Sequence, residues 1–135
     1  MAKALLLDTH IFLWLRVAPT KLTERERAII DTAPRRCVSV VTFWEIALLV
    51  SLGRIDNDPR LMALPQGVDL LPLQPGHCLE LIALPQIHRD PFDRMLIAQA
   101  RVENLMLVTR DAKITSYWRT GAAAAIVEPI DPPQN

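Results

Sequence analysis

Three short runs constrain this chain more than any other feature: Ala4-Leu5-Leu6-Leu7, Cys37-Val38-Ser39-Val40-Val41 and Leu105-Met106-Leu107-Val108. None alternates polar with apolar positions, as a strand with one wet face does. They read as strands covered on both faces, which is the habit of parallel sheets. Helix signals fill the intervals. Residues 9–17 read as a helix that stops before Pro19. Thr23-Glu24-Arg25-Glu26 is a capping box opening a helix to about residue 33. Thr42-Phe43-Trp44-Glu45 is a second such pattern, and its helix would end at Gly53. Asp58-Pro59 opens a short helix, and residues 68–71 form a short strand. Residues 76–84 read as a helix stopped by Pro85, and Asp90-Pro91-Phe92-Asp93 opens another to about residue 103. Asp111 would cap a short helix toward Trp118, and residues 125–127 would form a last strand. Strands alternating with helices predict one α/β domain over residues 1–130, with a tail at 131–135. Its central sheet is mainly parallel and carries helices on both faces.

Composition narrows the function classes. With 135 residues and 50% hydrophobic content the chain can bury a core. Lys+Arg and Asp+Glu are equal at 15 each, so tight binding of nucleic acid by bulk charge is not its mode. Cys37 and Cys78 lack CxxC spacing and a neighbouring His, and are expected to be buried, reduced thiols. Asp8 and His10 interrupt the first apolar run before a signal peptide could form. The apolar stretch 37–53 carries Glu45, which would cost about 2.5–3.5 kcal/mol in a bilayer. A cytoplasmic protein without membrane contact is expected.

The acids fall where the predicted sheet ends. Asp8 directly follows the first strand, and Asp111 comes just after the run at 105–108. Glu45 belongs to the first turn of the helix after the second strand. Asp93 lies in the first turn of a helix leading into the run at 105–108, so that turn also sits at the carboxyl edge. In an open parallel sheet, ligands bind at this edge. Each acid alone has a structural explanation as cap, dipole partner or turn former. Four on one rim repel one another and call for a positive charge between them. Oxygen ligands without a His or Cys set suit Mg²⁺ or Mn²⁺. Such an ion polarises a phosphoryl oxygen and activates water, the chemistry of phosphodiester hydrolysis.

Other residues are less decided. Asp90 reads first as a helix cap, with support of the nearby acid as the alternative. Thr109 reads equally as a residue orienting Asp111 or metal-bound water and as the last residue of its strand. Arg94 and Arg110 read first as local salt bridges and second as contacts to substrate phosphate. His10 is a packing or hydrogen-bonding residue rather than a general base. Trp14, Trp44 and Trp118 could stack on bases, but the first two sit in apolar runs that favour core or partner contacts. Ile11-Phe12-Leu13-Trp14-Leu15 and most of residues 43–50 are apolar on all helix sides, which asks for cover beyond one small domain.

Four segments carry a family resemblance: Leu5-Leu6-Leu7-Asp8-Thr9-His10, Trp44-Glu45-Ile46-Ala47, Arg89-Asp90-Pro91-Phe92-Asp93-Arg94-Met95-Leu96-Ile97-Ala98-Gln99-Ala100 and Val108-Thr109-Arg110-Asp111. In order and spacing they resemble the signature segments of the PIN domain, most of all its VapC branch of toxins. The resemblance implies that Asp8, Glu45, Asp93 and Asp111 form the acidic set, and that the activity is divalent-metal-dependent cleavage of RNA, often tRNA or rRNA. It also implies a homodimer and a small antitoxin that blocks the acids. The alternative is a catalytically silent PIN fold that binds RNA or protein. A haloacid-dehalogenase-like phosphatase would want an Asp where His10 stands, and a receiver domain would want paired acids after the first strand.

Overall fold

Leu5, Leu6 and Leu7 show how the first run becomes a strand covered twice. Leu6 packs into one apolar cluster, with Cys37, Leu71, Leu96, Ile97 and Leu107. Leu5 and Leu7 point the other way, into a cluster with Ile11, Phe12, Val38, Ile46 and Val108. All three leucines are buried, because successive side chains of a strand face opposite sides and both sides carry helices.

The computed structural model describes residues 4–86 and 89–111. In chain order these form β1 (Leu5–Leu7), α1 (Thr9–Val17), a 3-10 turn (Pro19–Lys21), α2 (Glu24–Thr32), β2 (Arg36–Ser39), α3 (Val40–Ser51), a second 3-10 turn (Pro59–Met62), β3 (Val68–Leu71), α4 (Pro75–Ala83), α5 (Pro91–Glu103) and β4 (Met106–Val108). Among the described residues the four strands make one sheet in the order β3-β2-β1-β4. Every pairing is parallel, with Leu6 opposite both Cys37 and Leu107. All strand carboxyl ends therefore share one edge. The helix following each of the first three strands starts at that edge, and α5, which runs back into β4, starts there too. No helix among the described residues is long and apolar enough to cross a membrane.

The local signals act largely as the sequence suggests. Thr23 accepts from the Glu26 amide while Glu26 accepts from the Thr23 amide, a complete capping box. Asp90 accepts from the amides of Phe92 and Asp93 and caps α5. The start of α3 differs. Ser39 accepts from the Val41 amide at 3.0 Å and caps the helix, so it opens at Val40 rather than after Thr42. Thr42 is instead buried against Thr9, hydroxyl to hydroxyl at 3.2 Å, which removes it from capping. Glu45 consequently lies in the second turn. Cys37 is buried as expected, but Cys78 is exposed, on the outer side of α4. Trp44, expected in the core or under a partner, is 60% exposed in this chain, with its edge against Phe92. The helix expected from Asp111 toward Trp118 and the strand expected at 125–127 fall on residues outside the described ones.

Helix α5 stops at Asn104, whose φ of 54° is left-handed. There its amide reaches the carbonyls of Ala100 and Arg101. Asparagine tolerates this conformation better than residues with bulkier Cβ substituents. Asn104→Ala should cost about 1 kcal/mol, and Asn104→Gly should cost nothing or stabilise. Paired denaturant melts check this; equal midpoints for both variants would contradict it.

Candidate functional site

The carboxyl edge of the sheet gathers the acids through hydroxyl side chains. Asp8, 3% exposed, follows β1 and caps α1. One of its oxygens accepts from the Thr9 amide at 2.7 Å. The other accepts from the Thr109 hydroxyl at 2.8 Å. Thr109 in turn accepts from the Asp111 amide at 3.0 Å, so one threonine just past β4 fixes both Asp8 and the turn carrying Asp111. On the other side the Thr9 hydroxyl donates to Glu45 at 2.7 Å. Asp8, Glu45 and the Asp111 turn thus form one hydrogen-bonded arc through Thr9 and Thr109. Asp93 occupies the first turn of α5 and is buried. Asp90 caps that helix and lies near enough to Glu45 to raise its pKa.

The electrostatics of the arc are those of crowded acids. Burial pushes the Asp8 carboxyl above its ordinary range; hydrogen bonds from Thr109 and Thr9 and the nearby His10 oppose this, and Asp111 adds to it. Glu45 is raised as well, first by burial, with Asp90 and Asp8 adding to it and the Thr9 hydroxyl opposing it. The N-termini of α1, α3 and α5 all open at this edge. Their partial positive charge favours anions but does not neutralise the set.

Several residues singled out from sequence serve other purposes. Arg94 donates to the carbonyls of Leu81 and Leu84, each at 3.3 Å, and so closes the carboxyl end of α4. Arg110 forms a two-point bond with Glu26, 84 residues away, rather than a local pair. Its guanidinium lies 4.4 Å over the Trp14 ring. Glu26 and Thr42 read from sequence only as parts of capping boxes, and Thr9 only as a neighbour of Asp8; their bonds to Arg110, to Thr9 and to Glu45 carry no local signal. Asp8, His10, Ile11, Trp14, Arg110 and Asp111 line a cleft of about 210 Å³. It adjoins a larger groove of about 600 Å³ through His10 and Trp14.

Whether a cation suits this site depends on its donors. They are carboxylate and hydroxyl oxygens, and two of the acids carry raised pKa values from burial and mutual repulsion. That chemistry fits a hard divalent ion. Among the described residues, no three Asp, Glu, His or Cys side chains gather closely enough to make a complete cage.

Comparison with known proteins places the fold in a family. The chain is 27% identical over 117 residues to Ribonuclease VapC22 of Mycobacterium tuberculosis (strain ATCC 25618 / H37Rv), covering 83% of this chain and 90% of that protein. Its fold is similar to that of VapBC2 from Rickettsia felis bound to a promoter DNA fragment, with a TM-score of 0.69 at 16% identity over 95% of this chain and 99% of that one. It is also similar to VapBC-5 from Mycobacterium tuberculosis, a member of the VapBC family of toxin-antitoxin systems, with a TM-score of 0.62 at 22% identity over 96% and 99%. Residues 5–117 match the PIN domain, spanning every element described above. The chain belongs to the PIN-domain family.

Proposed function

We propose that this protein is an endoribonuclease that hydrolyses RNA phosphodiester bonds with Mg²⁺ or Mn²⁺, and that it is the toxin of a toxin–antitoxin pair. The observation that carries the proposal is the hydrogen-bonded arc of buried Asp8, Thr9 and Thr109 with half-buried Glu45, whose two acids share Thr9 and both carry raised pKa values. Asp8, Glu45, Asp93 and Asp111 are the residues that would hold the metal. When bound, such an ion supplies Lewis acidity toward a phosphoryl oxygen and lowers the pKa of water. The chain's own part is orientation. Thr9 and Thr109 each bond one oxygen of Asp8 and so fix the carboxylate in the lining of the cleft. Arg110 is committed to Glu26 and Trp14 and acts as a wall of the cleft rather than as a free phosphate clamp.

Single-stranded or looped RNA suits a chain of zero net charge, since an unstacked strand reaches a small acidic cleft without a broad basic groove. The similarity to a ribonuclease and to toxin–antitoxin complexes supports both activity and partner, with tRNA or rRNA as the substrate class. Val40, Trp44, Leu48 and Leu52 recur every fourth residue along α3 and are exposed, an apolar stripe that suits a homodimer contact. The second reading is a silent module that binds RNA or protein on the same fold. Purified protein separates the two. Cleavage of a labelled RNA hairpin in Mg²⁺ or Mn²⁺, abolished by EDTA and restored by excess metal, is the expected result. RNA binding without cleavage in either metal would favour the silent module, and equally rapid cutting of duplex DNA would remove the RNA assignment.

A further inference from the structure

A second polar network lies in the core, apart from the acids. Gln99, on α5, is 0% exposed and surrounded by apolar neighbours. Its Oε1 accepts from the Ser39 hydroxyl at 2.5 Å. Its Nε2 donates to the Pro72 carbonyl at 3.3 Å and lies 3.4 Å from His77 Nδ1. A backbone carbonyl only accepts, so the amide orientation is fixed. Ser39, also 0% exposed, is the last residue of β2 and uses its lone pair on the Val41 amide to cap α3. Pro72 follows the last residue of β3, and His77 Nδ1 accepts from the Gln74 amide at the start of α4. One side chain of α5 therefore touches the carboxyl ends of β2 and β3 and the N-termini of α3 and α4.

The packing around it cannot set register by itself. Leu96, Ile97, Ala98 and Ala100 bury α5 through non-directional contacts that tolerate small axial shifts. A buried amide does not tolerate them, since a shift orphans Gln99, Ser39 and the Pro72 carbonyl in an apolar interior. Asp93 lies six residues before Gln99, about 9 Å along the helix. Glu45 lies on the helix that Ser39 caps. The Ser39–Gln99 bond thus spans the two helices that bring Asp93 and Glu45 to one rim.

We propose that Gln99 is a positioning residue that sets the axial register of α5 against α3, and through it the placement of Asp93 relative to Glu45. This rests on the assignment of those acids to a metal site. Gln99→Met keeps the volume and removes both polar atoms. It is expected to remain folded, to weaken Mn²⁺ binding about tenfold by calorimetry, and to lower kcat about tenfold with KM for RNA unchanged. Gln99→Glu, which retains the acceptor for Ser39, should recover part of the loss. Ser39→Ala combined with Gln99→Met should melt lower than Gln99→Met alone, because it also removes the cap on the Val41 amide, yet bind Mn²⁺ no more weakly, because the link between the two helices is already gone. Ile97→Val, a lesion in the same helix without polar atoms, should lower stability and leave Mn²⁺ affinity intact. If Gln99→Met does not fold, Gln99→Leu takes its place with the same expected weakening of Mn²⁺ binding. Mn²⁺ affinity and kcat within twofold of the original chain in a folded Gln99→Met, or in its Gln99→Leu stand-in, would overturn the inference. So would an equal loss in Ile97→Val. An original chain that neither binds Mn²⁺ nor cleaves RNA overturns the metal-site assignment itself, and this inference with it.

Discussion

Asp8→Asn is expected to destroy RNA cleavage and raise the melting temperature of the metal-free protein. The first effect follows from losing a carboxylate of the proposed metal site, and should reach about two to three orders of magnitude in kcat. The second follows from the raised pKa of Asp8, caused chiefly by burial and reinforced by Asp111. A carboxyl whose folded pKa lies above its unfolded value binds its proton more tightly in the folded state. Stability is then fully present below the ordinary carboxylate value of about 3.9 and falls as pH rises through the folded pKa. Asparagine never ionises and escapes that loss. It still offers an oxygen to the Thr9 amide, and the Thr109 hydroxyl can rotate to accept from it. The gap in melting temperature should be near zero in acid and open toward neutral pH. Mg²⁺ should then stabilise the original chain and not the variant. Thermal melts at several pH values, with and without Mg²⁺, check this; an apo variant that melts lower at neutral pH would make Asp8 a structural residue.

The second large effect belongs to Glu26. It is 2% exposed, and burial alone would raise its pKa, yet the hydrogen bonds from Arg110 and the Thr23 amide outweigh burial and hold it below the usual range. Glu26→Ala removes half of the capping box and leaves the Arg110 guanidinium with the Trp14 face and the Lys21 carbonyl. Arg110 remains partly exposed, so water makes up part of the loss and the cost should be about 2 kcal/mol rather than that of a fully buried pair. Its pH dependence is opposite in sign to that of Asp8. A lowered folded pKa means stability present above about 4.3 and lost as pH falls through the folded value. The difference between Glu26→Ala and the original chain should therefore be largest at neutral pH and shrink in acid. A gap that stays constant from neutral pH to strong acid would show that packing, not charge, is what Glu26 contributes.

How much of this was legible beforehand depends on the range of the interaction. Helix α1 and the caps of α2 and α5 are decided within four residues, and the sequence carries them. The rim positions of Asp8 and Asp111 follow from a parallel sheet without any side-chain detail. The start of α3 was misread because Ser39 and Thr42 can both cap, and the choice is made by Thr9, distant in sequence, which holds Thr42. Arg110 could not be matched to Glu26, nor Gln99 to Ser39, because nothing local marks a partner 84 or 60 residues away. Cys78 was expected to be buried because cysteines usually are, but its place on α4 faces outward.

The bond from Thr109 to Asp8 spans 101 residues, and β4 lies directly beside β1. In terms of contact order, the acid arc closes with the longest-range pairing of the described sheet. A chain still emerging from the ribosome has Asp8 early but has no Thr109 to orient it and no Asp111 until synthesis is well past the third strand. The arc is thus absent from every shorter nascent chain, and it closes only when these two distant stretches of the fold meet.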